Sequence, residues 1–102
     1  MKHTERSIEA GRNMAEAAIR LQKEDIPSFI AREIAAFRLA IDMNDIEERQ
    51  EMAAMLSIAS SLLLNYDINC GQYLFGEKEI EKSQAARSEI AKAATAMRES
   101  GI

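Results

Sequence analysis

The 102-residue chain is predicted to be all-α: a compact bundle of about four helices, with antiparallel neighbours joined by short connections. Three observations predict it. The run Met52 to Leu64 carries no charge and no polar side chain larger than serine, so it has no face to offer water and reads as a helix surrounded by protein. Apolar residues on both sides of that run recur at helical spacing, and alanine and methionine, both good helix formers, are plentiful. A lone proline, few glycines and the polar clusters then cut the sequence into four helical pieces within one domain.

The first helix is expected over about 5–24, beginning at about Thr4 or Ser7. Ile8, Ala15, Ala18, Ile19 and Leu21, with Met14 at the edge, form its apolar side. Gly11 with Ala15 and Ala18 offers a surface that a neighbouring helix can approach closely. Arg12, Glu16, Arg20 and Glu24 alternate in sign every four residues and belong in solvent. Pro27 suits the first turn of a second helix and disfavours helical geometry at Ile26, which sets that helix at about 28–43. Its core stripe is Ile30, Ile34, Phe37 and Ile41, with Phe29, Ala36 and Ala40 beside it. Asn44 or Asp45 can cap the third helix, each with a glutamate three positions on, Glu47 or Glu48. That helix is expected over about 46–69, with Gly71 ending it in the left-handed conformation. After the apolar connection around Tyr73 and Phe75, the fourth helix is placed at about 77–99. Ala86, Ile90, Ala93 and Met97 form its seam, with Ile80 and Ala94 beside it, and Phe75 can staple against Ile80.

Composition narrows the class of protein. A hydrophobic fraction of 47% with 29% charged residues is that of a folded soluble domain and not of a disordered chain. The single cysteine, Cys70, cannot form an intrachain disulfide, which suggests a reducing cytosol. The N-terminal residues carry charges with no apolar stretch behind them, so they do not read as a secretory signal. The charge-free run falls short of the about 20 residues that span a bilayer. Acidity is concentrated in the middle: residues 39–76 carry Arg49 against Asp42, Asp45, Glu47, Glu48, Glu51 and Asp67, one basic against six acidic and so −5, whereas the whole chain has −4. That disfavours direct binding to a nucleic-acid backbone. A helix-turn-helix is equally disfavoured, because the candidate recognition helix would begin with three glutamates facing phosphates.

The usual chemical constellations are missing from the sequence. His3, the only histidine, lies in a terminus expected to fray, and no Glu-x-x-His pair is present for a carboxylate-bridged metal. Cys70 has no second cysteine or nearby histidine for zinc and no base to activate it, so it reads as a structural thiol. A calcium loop starting at Asp42 would need oxygen at Ile46 and glycine at Glu47, and fails. Neither catalytic residues nor a cofactor or metal site is therefore expected.

Two sets of residues remain as candidates for binding a partner. Glu47, Glu48 and Glu51 form an acidic cluster, explained either by the helix macrodipole or as a docking patch for a basic protein surface. Tyr73 and Phe75 are the aromatic candidates. The reading that follows is a non-enzymatic protein that self-associates, as a homodimer covering the apolar third helix, and that acts as adaptor, regulator or inhibitor of a larger protein. The alternative is a module for a small molecule or nucleotide, with a pocket between helices lined by Met52, Met55, Ser57 and Tyr66; Ser60 and Ser61 also lie inside the apolar run. A weaker alternative is an acidic inhibitor of a nucleic-acid-processing enzyme.

Overall fold

Thr4 opens the first helix by a reciprocal hydrogen-bonded cap. Its side-chain oxygen accepts the Ser7 N–H at 3.2 Å, and the Ser7 hydroxyl oxygen accepts the Thr4 N–H at 2.9 Å. The computed structural model describes residues 3–73 and 77–99 of the chain, and side chains over 3–66 and 80–99. Among the described residues the helices are α1 (Glu5–Ala18), α2 (Ile26–Ala40), α3 (Ile46–Tyr73) and α4 (Glu77–Glu99), with a short 3-10 turn over Lys23–Asp25. Among the described residues no strand accompanies them, and the protein is an all-α bundle.

Several helix ends differ from the expectation. α1 stops at Ala18 and not near residue 24; Arg20 and Leu21 then bond back three residues to Ala17 and Ala18, and Gln22 is extended. Arg20 and Glu24 thus stand in solvent but beyond the helix they were expected to decorate. α2 begins at Ile26, the residue before Pro27, where helical geometry is disfavoured. Ile26 is wholly buried, and the burial of so large an apolar side chain outweighs that preference. α2 ends at Ala40, and Ile41 continues the apolar stripe from an extended conformation, still buried. Asp45, and not Asn44, caps α3, its Oδ1 accepting the N–H groups of Glu47 at 2.8 Å and Glu48 at 3.2 Å. Gly71 lies inside α3, which runs 28 residues to Tyr73. Glycine makes leaving a helix easy but does not compel it.

Successive helices run antiparallel. Arg6, at the start of α1, meets Ala40 at the end of α2, and Leu63 of α3 meets Ser83 near the start of α4. α1 and α3 consequently run parallel, and they lie side by side. Thr4 touches Glu51, and Gly11 faces Met55 and Ile58. A Cβ on Gly11 would stand 2.8 Å from the Met55 carbonyl oxygen and 3.0 Å from the Ile58 Cβ, so the close approach anticipated for this side of α1 depends on glycine. The core between the four helices is formed by Met14, Ala15 and Ala18 of α1, Ile26, Ile30 and Phe37 of α2, Met52, Met55, Leu56, Ala59 and Leu63 of α3, and Ala86 and Ile90 of α4. Ser83 is buried among them and donates its hydroxyl to the Leu63 carbonyl at 2.6 Å.

The charge-free run is less enclosed than its composition suggests. Met52, Ala54, Met55, Leu56, Ala59 and Leu63 are buried, whereas Leu62 is 38% and Leu64 44% exposed. With about 100° between successive residues, these two leucines flank an outward face that also carries exposed Ser61 and Asn65. Among the described residues no helix is long and apolar enough to cross a membrane.

Candidate functional site

At one end of the bundle the parallel packing of α1 and α3 places two helix N-termini side by side, next to the C-terminus of α2. Two partial positive charges therefore adjoin one partial negative charge. Glu48 and Glu51 sit in the first turns of α3, where this field favours carboxylates, and Arg6 lies between them and the end of α2. Arg6 donates through Nε at 3.1 Å and Nη2 at 2.8 Å to the two oxygens of Glu51, a bidentate pair. Its Nη2 also reaches Glu48 Oε1 at 3.3 Å, and Nη1 donates to the Ala40 carbonyl at 3.2 Å, one of the acceptors that the end of a helix leaves open. Thr4 adds a hydroxyl donor to Glu51 Oε1 at 2.6 Å, and the guanidinium lies 6.0 Å from the Phe37 ring centre.

The Arg6 guanidinium is held charged more firmly than usual, first by the hydrogen bond to Glu51, against some opposition from burial, and further by Glu48. Because that shift is upward, its contribution to stability is present throughout the physiological range and is lost only at strongly alkaline pH.

This geometry corrects the reading of the acidic cluster. Glu51 is only 6% exposed and its carboxylate belongs to Arg6 and Thr4, so it cannot form part of an open docking patch. Glu48 is shared with Arg6, and Glu47 is the one member of the cluster standing out in solvent. An acidic inhibitor surface built on all three glutamates is therefore not assembled. Arg6 was missed, although a signal existed: a cation in the first turn of a helix faces the positive end of the dipole, and needs a carboxylate from elsewhere. Phe75 lies outside the described residues, and so do the side chains of Tyr73 and Cys70.

The pocket expected from Met52, Met55, Ser57 and Tyr66 is not a single site. Met52 and Met55 are buried in the core, and Tyr66 borders a small recess with Ile19 on the far side of α3. Ser57 instead joins Ser60 and Ser61 on one wall of an open groove of about 530 Å³ between α3 and α4. Leu56, Ile90 and Met97 supply its apolar floor. Ala91 and Ala94 form the opposite wall, with Arg87 and Arg98 at the two limits of the stretch of α4 that lines it. The groove exists because the facing walls are made of serine and alanine, too short to meet across it. Among the described residues no group of three or more His, Cys, Asp or Glu side chains is placed to hold a metal ion.

The chain matches no protein-family model, and neither a curated protein nor a solved structure is significantly similar to it.

Proposed function

We propose that this is a non-enzymatic protein of the reducing cytosol that self-associates as a homodimer and acts by binding a larger protein. One observation carries the reading: the charge-free stretch of α3 keeps an uncovered side, with Leu62 38% and Leu64 44% exposed beside the open groove. Leu39 of α2 and Ile46 at the start of α3 are more exposed, at 88% and 64%, but the two leucines adjoin an apolar groove, and a contiguous apolar patch is the usual mark of a surface that another protein covers. A second copy packed along the Ser61 and Asn65 face would bury both leucines, and a symmetric pair is the commonest way for a chain to do so. Sedimentation equilibrium tests it. The chain is expected to be dimeric at high micromolar concentration, and the double variant Leu62→Glu, Leu64→Glu to be monomeric and still folded. A wild-type chain that stays monomeric there overturns the dimer.

A second reading draws on the groove alone, whose 530 Å³ lies within the about 300–1,000 Å³ typical of small-ligand sites. A metabolite or nucleotide bound there would raise the melting temperature by mass action in a thermal-shift screen.

A further inference from the structure

We draw no further inference here: the strongest candidate, the open groove between α3 and α4 with Leu56, Ile90 and Met97 on its floor, carries nothing further because nothing in the structure shows what covers it.

Discussion

The two flanks of α3 are built from similar small and apolar residues and yet end differently, one sealed against α1 and the other open beside α4. On the α1 side a glycine faces a branched side chain: Gly11 receives Ile58 and the Met55 carbonyl with no space left over. On the α4 side small faces small, as Ser57 and Ser60 look across at Ala91 and Ala94, and a groove remains. Small residues therefore do not by themselves bring helices together or hold them apart. What decides is whether the facing helix offers a side chain large enough to fill the space. The sealed flank is also pinned at its end by the Arg6 and Glu51 pair, whereas the open flank carries, farther along, the hydroxyl bond from Ser83 to Leu63. One flank is closed by direct contact and an ion pair, and the other leaves a groove open.

The largest test of this contrast is to unpin the sealed flank. Arg6→Ala takes the bidentate guanidinium away from the buried Glu51 carboxylate, to which Thr4 donates a neutral hydroxyl. Breaking a fully buried pair costs about 3–5 kcal/mol, and because Arg6 is 43% exposed the expectation here is lower, about 2–3 kcal/mol in chemical denaturation. For a domain of this size that corresponds to a fall in melting temperature of about 10 °C or more. Glu51→Gln keeps the shape and an acceptor for Arg6, and should cost less than Arg6→Ala. If the two substitutions cost the same, the pair contributes by charge and not by packing; if Glu51→Gln costs nothing, the reverse holds.

Gly11→Ala tests the contact itself. In an open helix the change would gain about 0.5–1 kcal/mol. Here the new methyl meets a backbone oxygen at 2.8 Å, which cannot move aside as a side-chain tip could. Overpacking typically costs about 1–3 kcal/mol, so a net loss of about 1–2 kcal/mol is expected in urea unfolding. A neutral or stabilised variant would mean that α1 slides on α3, and that this flank is no better specified than the other.

How much of this was legible in the sequence follows from which forces are local. The stripe Ile30, Phe37 and Ile41 and the seam Ala86 and Ile90 are buried as periodicity indicates, since a helical repeat reports which side faces inward. The repeat does not report what that side faces. The parallel pairing of α1 with α3, the bond between Arg6 and Glu51 across 45 positions and the groove each depend on which helices become neighbours. Gly11 was readable as a close-approach site because its meaning is steric and nearly independent of the partner. Ser57, Ser60 and Ser61 were visible as unusual, but whether they faced a core or an opening was decided by the alanines they meet on α4. The end of α1 at Ala18 was hidden for a related reason: residues 19–24 keep helical apolar spacing, and the chain turns there to bury Ile26 beneath the bundle.

The smallest expected effect comes from enlarging a residue on the open flank. Ser60→Leu places an apolar side chain where the groove has room, so the strain that accompanies such a change at Gly11 is absent. Stability should change by no more than about 0.5 kcal/mol, and any gain would reflect apolar area withdrawn from water. A change that small beside the loss at Gly11 would separate the two flanks in one molecule. A destabilisation as large as that of Gly11→Ala would instead show that the groove is closed in solution and that α3 is packed alike on both sides.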